Sequence, residues 1–437
     1  MNYSSILSNF GITALNEMQK AALEAIQEPQ DVILLSPTGS GKTLGFLLPI
    51  LQLLSTETEG VQVLILVPSR ELSIQIEKVF KQMGTQFKIN CCYGGHSVRI
   101  EENNLLEPPA VLVGTPGRIA HHLRKHNVHV RDTQILILDE FDKSLELGFK
   151  DEMEYIVHQC NRLEKRILTS ATSLDEIPDF VGLQKSKTLK FTTEHQEMES
   201  KLELKQVLVP GDDKLEALML LLGKLDSKST IVFCNHRDTV SRISEQLRRY
   251  HIDHAIYHGG MEQIEREKAL IRLRNGSVHF LITTDLASRG LDIPEIEAIV
   301  HYHLPPTEEI MIHRNGRTAR MHANGTAYFI LDKGNYLPPF LDYTPEIEEL
   351  PKEMPILKAC EWKTIYIAGG KKDKVSKADV AGMLIQKGEL HKDELGKIEI
   401  LDHSAYAAVK ASKVLNVLQL VKFEKIKGKK YKIEIAS

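Results

Sequence analysis

No apolar run in these 437 residues approaches the roughly 18 consecutive residues that a membrane-crossing helix requires. The opening stretch, MNYSSILSNFG, has no basic segment leading into a long apolar one. No signal peptide is therefore expected, and the cytoplasm is the expected compartment. Cysteine is scarce, with five residues at positions 91, 92, 160, 234 and 360 and no CxxC pair among them. That spacing excludes the usual cysteine-ligated metal, and an odd number suits reduced thiols better than a disulfide framework. The adjacent Cys91 and Cys92 fit a strand.

What is present is ordinary in bulk and uneven in distribution. Hydrophobic residues make up 42% and charged residues 26%, as in a globular protein, and the length allows two or three domains. The net charge of −4 hides an asymmetry. Residues 361–437 carry 16 lysines against 10 acids, a balance of +6, whereas the rest of the chain stands at −10. A basic terminal module on an acidic body points to a polyanion as its partner.

Short aliphatic strands alternate with helical stretches through the first 190 residues. They include VILLS (32–36), VQVLILV (61–67), AVLVG (110–114), ILIL (135–138) and RILTS (166–170). Each ends in a small or polar cluster, respectively SPTGSGKT, PSREL, GTPGR, DEFD and SAT. This is the pattern of βαβ units in a parallel sheet with its ligand edge at the strands' carboxyl ends. A second such series follows, from TIVFCN (230–235) to GTAYFIL (325–331). The remaining segment reads strand 364–369, helix 376–387, strands 397–402 and 404–410, helix 412–421 and strand 430–435. That βαββαβ order predicts a small α+β domain like the RNA-recognition motif. The expected division is 1–195, 204–334, a proline-rich connection over 335–360, and 361–437.

The stretch SPTGSGKT (36–43) lies between a buried strand and an apolar helix. It departs from the phosphate-loop pattern only in having Ser36 at the first position. Backbone N–H groups of such a loop close around phosphate oxygens at a helix N-terminus. Lys42 is then placed for the β and γ phosphates and Thr43 for Mg²⁺. A nucleotide-bound Mg²⁺ also needs an acid from a neighbouring strand, and Asp139, just past ILIL, is the candidate. Glu140 is the candidate proton acceptor for the attacking water.

With these motifs in view, residues 10–331 resemble a DEAD-box RNA helicase of superfamily 2. SPTGSGKT, PSREL (68–72), GG (94–95), TPGR (115–118), DEFD (139–142), SAT (170–172), IVFCN (231–235), HGGMEQIER (258–266), TTDLASRGLD (283–292) and HRNGRTAR (313–320) stand in the family's order. The resemblance implies two tandem RecA-like parallel-sheet domains that ATP and RNA jointly close, and RNA-dependent ATP hydrolysis coupled to duplex opening. It assigns ATP contacts to Gln19, Thr38, Gly39, Ser40, Gly41, Lys42, Thr43 and Asp292. Arg317 and Arg320 resemble arginine fingers, which are worth about 10³–10⁵ in rate in other phosphoryl-transfer systems. Ser170, Thr172, Asp142 and His313 resemble coupling residues. RNA contacts are implied for Arg70, Gly95, Thr115, Arg118, Arg237, Gly260 and Thr284. An ATP-dependent clamp or chaperone that never separates strands shares every one of these motifs.

The departures are local. Phe141 stands where the family has Ala, which puts the packing there in question. Leu15 and Asn16 replace the usual Pro and hydroxyl residue before Gln19, and the sequence begins too late to supply the family's far-upstream aromatic that stacks on adenine, so less secure adenine reading is expected. The segments 363–384, 396–409 and 425–435 resemble the RNA-binding domain of the DbpA and YxiN subfamily, which implies large-subunit ribosomal RNA as partner. Period-two alternation puts Tyr366 and Tyr406 together on one sheet face, a stacking platform in the alternative reading, whereas the +6 balance favours Lys425, Lys427, Lys429, Lys430 and Lys432 as a phosphate grip that supplies most of the affinity. A short flexible connection would tether this module, raising the local RNA concentration to about the mM range.

Overall fold

The computed structural model describes residues 3–37, 39–95, 97–171, 176–191, 202–209, 211, 213–288, 293, 296–318, 325–332, 334 and 336–436. They form two compact units, one within 3–191 and one within 202–436.

The first unit is a seven-stranded parallel sheet. Its strands are β1 (Asp31–Leu35), β2 (Val63–Leu66), β3 (Ile89–Cys92), β4 (Val111–Gly114), β5 (Ile135–Leu138), β6 (Lys165–Ser170) and β7 (Ser186–Lys190), in the order β3-β4-β2-β5-β6-β1-β7. The aliphatic runs arise because helices cover both faces. Val32, Leu34, Val63 and Ile65 enter one core with Met18, Phe46, Ile76 and Phe80. Ile33, Leu35, Leu64 and Leu66 enter the other with Ile119, Leu123, Met153 and Ile156. Phe141 is fully buried in this second core, so the aromatic in DEFD fills space beneath the sheet. Phe141→Ala is expected to cost about 3–5 kcal/mol through the cavity it leaves, seen as a lower denaturant midpoint. An unshifted midpoint would show that the core collapses around the smaller residue.

The second unit holds another parallel sheet. It comprises β8 (Leu202–Leu208), β9 (Thr230–Phe233), β10 (His254–Tyr257), β11 (Phe280–Thr283), β12 (Ala298–His301), β13 (Gly325–Leu331) and the short β14 (Glu346–Ile347), in the order β10-β11-β9-β12-β13-β8-β14. Residues 335–360 were expected only to connect. Instead β14 pairs with β8, and Leu350, Met354 and Leu357 pack on the second core. Glu348 joins this strap to the sheet through Lys205 at 3.0 Å and through Lys224.

The chain then forms an antiparallel sheet of β15 (Trp362–Ile367), β16 (Leu395–Ile400), β17 (Ala405–Lys410) and β20 (Ile433–Ile435), in the order β16-β17-β15-β20. Helices Lys377–Gln386 and Val414–Val421 cover one face, with Val380, Leu384, Val417 and Val421 packed on Ile365, Ile367, Ala407 and Val409. The expected strand 430–435 is split. Its start pairs in a hairpin, β18 (Lys425–Ile426) with β19 (Lys429–Lys430), and only β20 joins the sheet.

The other face of this sheet is covered too. Tyr366 and Tyr406 lie opposite each other across β15 and β17 with ring centroids 5.5 Å apart. Tyr406 is only 1% exposed, because it packs with Ala436 on Ile271 of the helix Gln263–Arg274. Arg274 closes the seam with a forked pair to Glu399, Nε to Oε1 at 2.8 Å and Nη2 to Oε2 at 2.7 Å. Asn275 Nδ2 donates to Thr364 Oγ1 at 3.2 Å, Ser277 Oγ lies 2.7 Å from the same oxygen, and Lys363 donates to Asp253 at 2.5 Å. The face offered by sequence as an alternative to the lysine grip, a tyrosine stacking platform, is therefore an internal seam. Period-two alternation separated the two faces correctly but carried no information about what covers each.

Candidate functional site

The polar clusters after β1, β2, β4, β5 and β6 all meet the same edge of the first sheet, because the strands are parallel. Gly41, at φ 86°, starts the helix Lys42–Leu53. A side chain there would strike Gln19 Nε2 at 2.5 Å, so glycine is required by both backbone and space. Gln19 donates to Gly41 O at 3.3 Å, and Asn16 Nδ2 donates to Ser40 O at 2.9 Å. Asn16 and Gln19 also form a reciprocal capping box on the helix Glu17–Gln27. Asn16 thus serves as the cap that the family's hydroxyl residue would supply, and it holds the loop as well. Lys42 is buried and donates to Pro37 O at 2.8 Å and to Ser36 O.

Asp139 is 3% exposed and accepts a hydrogen bond from Thr169 Oγ1. Burial pushes its carboxyl above the usual range, opposed by the Thr169 hydroxyl and by Lys42. A carboxylate held in this way suits a divalent cation, whose charge offsets the desolvation. Glu140 sits in the left-handed region, φ 49° and ψ 52°, with its N–H 3.3 Å from Thr169 Oγ1. This backbone conformation is costly for a residue with a side chain and marks strain at the carboxylate pair. Ser170, fully buried, ends β6 beside them, and Asp142 follows on the helix Phe141–Glu146.

Arg70, Gly95, Thr115 and Arg118 gather around one loop. The Arg70 guanidinium lies 4.6 Å from the Tyr93 ring centroid, and its Nη1 donates to Gly94 O at 3.3 Å. Gly95 has φ 77°, and a Cβ there would meet Arg70 Nη1 at 2.7 Å. Arg118 Nε donates to Tyr93 O at 3.1 Å, and Thr115 N donates to Cys92 O at 3.1 Å. Glu101 organises this group and escaped the sequence reading. Its Oε1 accepts from Tyr93 N at 3.0 Å, and its Oε2 lies 3.5 Å from Arg118 Nε. His122 Nε2 donates to Oε2 at 2.7 Å, because Asn127 Nδ2 donates to His122 Nδ1 at 3.0 Å. The signal was an acid at a core-facing position, one turn before the buried Leu105.

In the second unit Arg237 begins the helix Arg237–Arg249, with Gly260 beside its guanidinium; a Cβ on that glycine would lie 3.7 Å from Arg237 Nη1. Thr284 N donates to Tyr257 O at 3.3 Å. His313 is buried, with Nε2 3.4 Å from Glu309. Arg317 is 4% exposed and follows the helix Glu308–Asn315. Sequence reasoning passed over Arg314, whose side chain is fully buried. It donates to both Asp285 oxygens at 2.5 and 3.0 Å, to His303 O at 2.8 Å and to Asn235 Oδ1 at 2.8 Å. One guanidinium thereby joins HRNGR to TTDLA and IVFCN. Thr38, Thr172, Asp292 and Arg320 lie outside the described residues.

His301 is buried between Phe233 and Phe329, stacked 4.7 Å from the latter. Burial, then Arg314, pushes its pKa from 6.5 down to about 3. Below pH 6.5 the unfolded chain takes a proton that the folded one refuses until about pH 3. Stability is therefore expected to fall with acidification, by about 1.4 kcal/mol per pH unit from this group. His301→Phe should flatten that slope in denaturant titrations; an unchanged slope would assign it elsewhere.

Comparison with known proteins agrees with this geometry. Residues 16–180 match the family model for the DEAD/DEAH box helicase, 213–322 the helicase conserved C-terminal domain, and 364–435 the DbpA RNA binding domain. The chain is 30% identical to the ATP-dependent RNA helicase DbpA of Escherichia coli, covering 98% of this chain and 96% of that one. It is 27% identical to DbpA of Bacillus subtilis, with 99% and 96% covered. Among solved structures, S. cerevisiae Dbp5 bound to RNA and ADP BeF3 matches with a TM-score of 0.65 at 26% identity, covering 75% of this chain and 87% of that one. No helix among the described residues is long and apolar enough to cross a membrane. With both helicase modules matched and a relative 30% identical over nearly its whole length, the chain belongs to the DEAD-box family of ATP-dependent RNA helicases.

Proposed function

We propose that the chain couples RNA-stimulated ATP hydrolysis to local opening of structured RNA, with large-subunit ribosomal RNA in the cytoplasm as its substrate. The observation that carries the reading is the shared edge of the first sheet, which gathers Lys42, Asp139 and Glu140 with the Arg70–Gly95–Arg118 loop. ATP is held by Gln19, by Thr38, Gly39, Ser40, Gly41, Lys42 and Thr43, and by Asp292. Thr43 and Asp139 hold Mg²⁺, which when bound neutralises charge on the β and γ phosphates. Glu140 accepts a proton from the attacking water. Arg317 and Arg320 meet the charge that develops on the γ phosphate. Arg70, Gly95, Thr115, Arg118, Arg237, Gly260 and Thr284 follow the RNA backbone, and Ser170, Thr172, Asp142 and His313 transmit its arrival. The ribosomal target is supported by the likeness to the two DbpA proteins and by the +6 balance of residues 361–437.

The test compares ATP turnover with RNA and DNA strands of equal length, then follows displacement of a strand from a tailed RNA duplex. Strong stimulation by RNA alone, with ATP-dependent displacement, is expected. Equal stimulation by DNA overturns the RNA reading. Stimulation by RNA without displacement makes the protein an ATP-dependent RNA clamp.

A further inference from the structure

If the sheet face that carries Tyr366 and Tyr406 is a seam, RNA must reach the C-terminal module elsewhere. We propose that it binds on the β18–β19 hairpin, where Phe423 stacks on an unpaired base while Lys422, Lys425 and Lys430 hold the flanking phosphates. This site rests on the RNA-directed reading above.

The hairpin is built to present Lys425 and Lys430 rigidly, and Phe423 and Lys422 lie in the turn just before it. Its loop is the pair Lys427-Gly428, with φ 49° and φ 80°, the two positive values that a tight two-residue turn needs. Ile426 is 3% exposed and anchors the hairpin in the module's core. Lys427 is tied to Asp379 at 3.0 Å and to Lys374 O at 2.6 Å, and Lys429 to Asp373 at 2.6 Å. Lys432 is likewise taken up by Glu434 at 2.8 Å. Three of the five lysines expected to grip phosphate are thus engaged with acids and fasten the hairpin or its flank.

The remaining cations face outward around an aromatic ring. Lys422, Lys425 and Lys430 have no carboxylate partner among the described residues. Phe423 is 70% exposed, with Lys430 Nζ 4.5 Å and Lys422 Nζ 5.5 Å from its ring centroid. The contacts of Lys427 and Lys429 also bring the turn carrying exposed Lys371, Lys372 and Lys374 beside the hairpin. An exposed ring flanked by unpaired cations has the chemistry of a single-stranded nucleic acid site: a π-face for the base and charge for its backbone.

The experiment uses the full chain with two probes, transcribed large-subunit ribosomal RNA and an oligo(U) strand, and measures binding across salt. Phe423→Ala should weaken binding of the ribosomal RNA by roughly 5- to 150-fold, the effect of losing one stacked base. It should leave the salt slope unchanged, and Phe423→Trp should retain affinity. Lys425→Gln with Lys430→Gln should lower the log–log salt slope by about 1.4–1.8. If Phe423→Ala and the double lysine variant, both folded, bind ribosomal RNA as the parent does at every salt, this site is wrong while the helicase reading stands. If Phe423→Ala keeps RNA affinity but loses a protein partner, the face docks protein and the proposal falls. A parent chain that binds neither probe sinks the RNA-directed reading and this site with it.

Discussion

Glu140→Gln is expected to lose about 10²–10⁴ in ATP turnover while retaining ATP and RNA binding. The amide keeps the size and one acceptor oxygen but cannot take the proton of the attacking water. Binding should survive because Lys42, Asn16 and Gln19 hold the loop through its own backbone carbonyls. The strain at φ 49° belongs to the backbone and persists in the variant. The ternary complex with ATP and RNA should then accumulate, seen as slower release of labelled RNA. Turnover equal to the parent's would remove Glu140 from the role of base.

Asp285→Ala should be the more damaging way to break the second unit's buried network. Arg314 is entirely buried, whereas the Asp285 side chain keeps 39% of its exposure. Removing Asp285 leaves a guanidinium charge in the interior held, among the described residues, by Asn235, the His303 carbonyl and the face of the Phe233 ring. A stranded buried charge costs about 3–5 kcal/mol. Removing Arg314 leaves a carboxylate that water still reaches, and should cost less. Denaturant titration of the two variants, with the double variant to close the cycle, reads this ordering. Equal losses from both would show that packing of the Arg314 stem, rather than its charge, holds the three motifs together.

The two parallel sheets were legible because the signal is redundant: aliphatic strands buried on both faces and a polar cluster at each carboxyl end. The gathering of Lys42, Asp139 and Glu140 at one sheet edge was legible because each follows a strand of the same parallel sheet. Glu101, His122 and Arg314 were not, although each holds motifs that were found. Their partners include backbone carbonyls and amides distant in sequence, and spacing along the chain does not encode those meetings. The same reason hid the seam. Period-two alternation assigns Tyr406 to a sheet face, but only the fold brings Ile271 onto it. Phe141 looked like a defect in a motif because its side chain answers to the core beneath the strand rather than to the chemistry above it.

The Arg274–Glu399 fork and the Tyr406–Ile271 contact change what the basic module can do for the core. A tethered module would search a volume set by chain length, and a longer connection would widen the search. Here the connection lies along β8 and the module is fixed to the helix Gln263–Arg274, so it behaves as a ruler. An RNA gripped on this module sits at a set distance and bearing from Arg237, Gly260 and Thr284. Under the proposed RNA-directed function, substrate choice becomes a matter of architecture as well as affinity: RNAs whose anchor and duplex are offset by the matching vector would be served, and equally tight binders with the wrong offset would not.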